Sequence, residues 1–174
     1  AMIAVLGINI DEVKNLIKIS QNDRSGICEI ANDNAEGQVI VSGDSDNIKN
    51  FQKFLKEKKI KSIPLKVSAP FHCALMKKAA ESMREKINNT NFNDPKFNIV
   101  SNVKALPENK AKNIKNLLID QIFNTVRWRE SIINISVNGV SNFIEIGPGK
   151  VLTGMVKRTL SNPKSFSINS IADI

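Results

Sequence analysis

The 174-residue chain contains no tyrosine, one tryptophan, one histidine and two cysteines. Each scarcity excludes something. Cys28 and Cys73 lie far apart with no Cys-x-x-Cys spacing, so they do not make a disulfide scaffold. With His72 as the only histidine, a His-rich metal site is excluded and no structural zinc is expected. No run reaches about 18 apolar residues without a charge, so no membrane span is expected. Residues 1–7 carry no basic segment and Asp11 and Glu12 follow at once, which is not the pattern of a secretory signal. The cytoplasm is therefore the expected compartment. No Gly-x-Ser-x-Gly nucleophile elbow occurs anywhere in the chain.

What is present is an ordinary globular composition, 41% hydrophobic and 24% charged, which favours a packed core over disorder. The length fits one domain or two small ones. Twenty-five basic residues against 17 acidic ones give a net charge of +8. That balance attracts nucleic acid, a membrane surface, a phosphorylated cofactor or an acidic protein, or it reflects lysine-rich solvated faces. Lys53, Lys56, Lys58, Lys59 and Lys61 form the densest basic run. Recognition of RNA on a sheet needs aromatic side chains on the central strands, and residues 27–31 and 38–42 contain none. Nucleic acid is accordingly not an expected partner, and the run reads as a solvated helix face.

The order of elements follows from periodicity. Residues 2–6 are an apolar run closed by Gly7 and read as a strand. Asn9 with Glu12 three residues on is a capping-box start, and Val13, Leu16 and Ile17 continue a helix over 10–20. Residues 27–31 and 38–42 read as strands around a polar turn at 32–37. Ile48, Phe51 and Leu55 mark one face of a second helix, and 62–67 reads as a fourth strand. The pattern is βαββαβ, that of a ferredoxin-like unit, over residues 1–67. Beyond it, Leu75, Ala79, Met83 and Ile87 recur at helical spacing, and Pro95 bars continuation. A strand is expected at 97–101, helices at 114–123 and 130–137, a strand at 143–146 and a helix at 151–160. Strands alternating with helices imply an α/β arrangement with a parallel sheet. Residues 97–101 and 143–146 are expected as its central strands, so residues 68–174 read as part of a larger unit.

Two local features invite chemistry. His72 is the one side chain whose ordinary pKa suits acid–base work near neutrality, and it follows Pro70 at a strand-to-helix junction. A lone histidine also serves as a passive residue. Cys73 is adjacent, but consecutive residues rarely face each other, so a Cys–His pair is not expected. Gly147-Pro148-Gly149-Lys150 suggests a phosphate loop, yet Ile144 stands where the first glycine is required and Val151 follows the lysine. What remains is a tight turn at a helix N-terminus, serving packing or an anion.

The stretches at residues 67–76 around Pro70-Phe71-His72, at 121–128 from Gln121 to Trp128, and at 145–158 around Gly147-Pro148-Gly149-Lys150 resemble segments of the bacterial malonyl-CoA:acyl-carrier-protein transacylase family. Val67-Ser68-Ala69-Pro70-Phe71-His72-Cys73-Ala74-Leu75-Met76 is similar to its catalytic-histidine segment. Gln121-Ile122-Phe123-Asn124-Thr125-Val126-Arg127-Trp128 is similar to its Q-L-x-N-P-V-x-W segment, with Thr125 where proline is usual. The run from Glu145 through Gly147-Pro148-Gly149-Lys150 to Arg158 is similar to its terminal signature, and 31–43 resembles the strand pair of its small subdomain. The resemblance implies a ferredoxin-like small subdomain (1–67) and the C-terminal part of an α/β-hydrolase-like large subdomain (68–174).

The resemblance also implies a mechanism. In that family a serine in a Gly-His-Ser-x-Gly elbow attacks the malonyl-CoA thioester, and a histidine acts as general base. A backbone carbonyl holds the other ring nitrogen of that histidine. The matching residues are His72 and Gln121. In related polyketide acyltransferases phenylalanine at the position of Phe71 goes with malonyl selectivity. The serine elbow, a carboxylate-binding arginine and a glutamine motif precede these segments in family order and have no match in this chain. A fragment or split-gene product, inactive alone, is therefore expected. Its implied substrate is a coenzyme A thioester, with no permanently bound cofactor and no metal. Its implied partners are acyl carrier protein, malonyl-CoA and a serine-bearing N-terminal half. The alternative is a non-enzymatic remnant that docks an acidic partner such as acyl carrier protein.

Overall fold

The computed structural model describes residues 1–22 and 25–173. Strand β1 (Met2–Leu6) leads into helix α1 (Ile10–Ser20), β2 (Cys28–Ala35), β3 (Gln38–Gly43), α2 (Ser45–Glu57) and β4 (Lys61–Pro64). The four strands form one sheet in the order β2-β3-β1-β4, every neighbouring pair antiparallel. The capping box forms as the sequence leads one to expect. The Asn9 side chain accepts from the amides of Asp11 and Glu12, and the Glu12 carboxylate accepts from the Asn9 amide.

Strand alternation divides the apolar residues of this sheet between two faces. Ile3, Val5, Val39 and Val41 pack under Val13 of α1 and Ile48, Phe51 and Leu55 of α2. Met2, Ala4, Ala31 and Ile40 make a smaller cluster. Each large side chain buried this way contributes roughly 1.5–3 kcal/mol.

The expected turn at 32–37 shrinks to Glu36-Gly37, because β2 continues to Ala35 with two irregularities in its register against β3. Asn and Asp disfavour strands in isolation, but here they are anchored. The Asp33 amide donates to Val126 O (2.9 Å) and its carboxylate is gripped by Arg129. The fourth strand ends at Pro64 rather than continuing to 67.

In the second half a 3-10 turn (Ala74–Met76) runs into α3 (Lys77–Asn89), followed by β5 (Ile99–Val100), β6 (Pro107–Glu108), α4 (Ala111–Asp120), α5 (Trp128–Val137), β7 (Asn142–Ile146), α6 (Val151–Thr159), β8 (Lys164–Ile168) and a final 3-10 turn (Ile171–Asp173). The expectation that 97–101 and 143–146 share a parallel sheet is not met. Only Ile99 and Val100 pair at the first, antiparallel to β6, because the chain doubles back within a few residues. The second, β7, is parallel to β8, a strand that the sequence pattern does not reveal. The β7–β8 pair leaves Ile144 59%, Ile146 81% and Phe166 57% exposed.

The two halves meet along the outer edge of β2. An edge strand presents unpaired peptide groups, and residues 125–126 satisfy them. Val126 N donates to Ala31 O (2.8 Å), and Thr125 Oγ1 donates to Ile30 O (2.7 Å).

Candidate active site

His72 sits between β4 and the 3-10 turn, in a left-handed backbone conformation with φ +60°. For a residue with a Cβ this costs roughly 1–2 kcal/mol and needs firm surroundings. The ring is half-buried. Its Nδ1 lies 2.7 Å from the main-chain carbonyl of Gln121, 49 positions away. A carbonyl oxygen only accepts, so Nδ1 carries the proton and Nε2 is left as the acceptor. In the neutral ring that tautomer leaves Nε2 free to accept a proton.

Gln121 is available because α4 ends there. The helix closes at Asp120 with Gln121 as its C-cap, and the last carbonyls of a helix lack intrahelical partners. The expected helix over 114–123 therefore runs too long, and its early end is what frees the carbonyl. The Gln121 side chain makes only a long 3.5 Å contact with Asn102.

Cys73 turns away from the ring. Its Sγ donates to Pro70 O (3.2 Å), and Ser42 Oγ lies 3.6 Å away. Both cysteines are free and buried. Burial, with the charges of Glu29 and Cys73 adding to it, pushes the Cys28 thiol up to about 12. Neither thiol therefore partners the histidine. Phe71 is 38% exposed beside it. A groove of about 360 Å³ opens at His72, between Ile17 of α1, Cys28 to Ile30 of β2, and Phe123 to Thr125.

In the turn Gly147–Lys150, Pro148, Gly149 and Lys150 are exposed. The first amides of α6 are already taken, because the Glu145 carboxylate accepts from Leu152 N (3.1 Å) and Thr153 N (2.7 Å). The Thr153 contacts hold that carboxyl below its ordinary range. Gly149 donates to the Asn169 side chain (2.6 Å), from a φ of +94° that suits glycine. The lysines of the basic run are exposed, and Lys53, Lys56, Lys59 and Lys61 border a shallow groove on α2 and β4. Among the described residues no three His, Cys, Asp or Glu side chains gather to hold a metal, and no helix is long and apolar enough to cross a membrane.

Two residues near the histidine escape the sequence reading. Glu29 reaches from β2 to Ala74 N (2.9 Å), and no local pattern signals this. Thr125 was marked only by its departure from the family's proline.

The chain is a member of the acyl transferase domain family, whose profile matches residues 12–172. It is 36% identical over 170 residues to the malonyl CoA-acyl carrier protein transacylase of Bacillus subtilis, an alignment covering 97% of this chain and 53% of that protein. A crystal structure of an acyl carrier protein S-malonyltransferase from Vibrio cholerae superposes with a TM-score of 0.93 at 33% identity, covering 99% of this chain and 56% of that one. A malonyl-transacylase solved in complex with a type II PKS acyl-carrier protein superposes with a TM-score of 0.91 at 34% identity, covering 99% and 56%. The chain thus spans about half the length of the curated relatives it matches.

Proposed function

We propose that this chain supplies the base-bearing part of a malonyl transferase that moves malonyl groups from coenzyme A to acyl carrier protein in fatty acid biosynthesis. The observation that carries the reading is the 2.7 Å contact between His72 Nδ1 and Gln121 O. With Nδ1 protonated, Nε2 takes the proton of a serine nucleophile as it attacks the malonyl thioester, and returns it to the leaving coenzyme A thiol. In the second half-reaction Nε2 deprotonates the carrier's phosphopantetheine thiol as its sulfur attacks the malonyl-serine ester, and returns the proton to the departing serine oxygen. The Gln121 carbonyl fixes the ring and favours the imidazolium as it forms, the task an aspartate performs in other triads. Phe71 borders the acyl group and restricts its α-carbon.

In this reading residues 1–67 are a ferredoxin-like small subdomain, and 68–174 are the C-terminal part of an α/β-hydrolase-like large subdomain. The serine comes from a further segment, joined to this chain or separate, that covers the apolar face of Ile144, Ile146 and Phe166. Parallel sheets are normally covered on both faces, which supports such a partner. The net charge of +8 and the exposed lysines of α2 support an acidic protein as acceptor. The reaction calls for no metal and no resident cofactor, and the cytoplasm is its setting.

The test is transfer of labelled malonyl from coenzyme A to acyl carrier protein. The chain alone is expected to give none. Adding a polypeptide that carries the Gly-His-Ser-x-Gly segment is expected to produce transfer. Failure of every such pairing, with complex formation verified, overturns the proposal.

A further inference from the structure

His72 holds a strained backbone, and such conformations persist where neighbouring contacts over-determine them. On the ring side the contact is Gln121 O. On the backbone side the chain leaves His72 through an extended Cys73 and enters the turn at Ala74. The first amides of that turn need acceptors from outside the helix, and the Cys73 side chain provides none. The Ala74 amide instead donates to Glu29 Oε2 at 2.9 Å, across 45 residues. A carboxylate at a helix start is well matched to the dipole there. Strand β2 thereby holds both sides of the histidine. Glu29 fixes its backbone exit, while Ile30, Ala31 and Asp33 hold Thr125 and Val126, which follow Gln121 in the chain.

We propose that Glu29 is a positioning residue for His72. By capping Ala74 it keeps His72 in the left-handed conformation that aims Nδ1 at the Gln121 carbonyl, and so keeps the single proton of the neutral ring on Nδ1. The inference rests on His72 being the base, but its readout needs no activity.

His72 is the only histidine, so the imidazole nitrogen signals of the ¹⁵N-labelled chain belong to it alone. At a pH well above the ordinary histidine value of about 6.5, those shifts report which nitrogen carries the proton. The Nδ1–H form is expected to dominate in the wild type. Glu29→Ala is expected to lower the ratio of Nδ1–H to Nε2–H by roughly fivefold or more, the scale of one lost hydrogen bond. Glu29→Gln keeps an acceptor oxygen and is expected to retain most of the ratio. Ala74→Pro deletes the donor at a helix start where proline is tolerated, after an extended residue that suits it, and is expected to act like Glu29→Ala. It decides the matter should Glu29→Ala not fold. A wild-type ratio unchanged in the folded variants overturns the role of Glu29 and leaves the proposed function standing. A wild type already in the Nε2–H form overturns the Gln121 contact itself, and with it the geometry behind both.

Discussion

The imidazole of His72 donates from Nδ1 to the main-chain carbonyl of Gln121, not to its side chain. The distinction has a direct consequence. Gln121→Ala removes the long hydrogen bond from Asn102 and leaves the carbonyl in place. In the reconstituted enzyme the transfer rate of Gln121→Ala is expected to stay within a factor of about five of the wild type, the scale of one ordinary neutral hydrogen bond. A loss of orders of magnitude would assign the work to the side chain.

In the proposed reading Phe71 sets the room beside the acyl group. One methylene in a pocket is worth about 10- to 200-fold in discrimination. Phe71→Ser is therefore expected to erode the preference for malonyl-CoA over methylmalonyl-CoA by up to that factor. The measurement is the ratio of kcat/KM for the two thioesters, and an unchanged ratio contradicts the assignment.

The Thr125 hydroxyl bonds Ile30 O at 2.7 Å. Thr125→Val removes that bond and is expected to destabilise the chain by about 1 kcal/mol, while Thr125→Ser retains it. Urea unfolding midpoints at constant slope measure the difference.

Cys28 links pH to stability. Its thiol is raised from 9.0 to about 12 in the fold, first by burial and then by Glu29 and Cys73. The unfolded chain loses this proton first, so stability is fully present below about pH 9 and falls as pH rises towards about 12. The slope from this group is at most about 1.4 kcal/mol per pH unit. Denaturant unfolding between pH 9 and 10 is expected to show the decline in the wild type and to lack this component in Cys28→Ala.

The first half of the fold was legible because its signals are local. The run 2–6, the Asn9–Glu12 box and the Ile48, Phe51, Leu55 stripe each lie within one element. Strand β8 was not, because Lys164-Ser165-Phe166-Ser167-Ile168 carries two apolar residues and owes its pairing to β7. Residues 97–101 misled in the other direction. Phe97, Ile99 and Val100 look like a buried strand, yet Phe97 is 82% exposed. At the site, His72 was visible as a lone titratable group, but its tie to Gln121 spans 49 positions and came only through family resemblance. The carboxylate of Glu29 left no trace in the sequence.

The proposed function stands or falls on His72 acting as the base. Malonyl transfer by the chain mixed with a serine-bearing polypeptide, compared with the same mixture containing His72→Ala, tests it most directly. General base catalysis contributes roughly 10²- to 10⁴-fold. A loss of that size, with the two polypeptides still associated, is the expected result. Transfer by His72→Ala within a few-fold of the wild type would contradict the account.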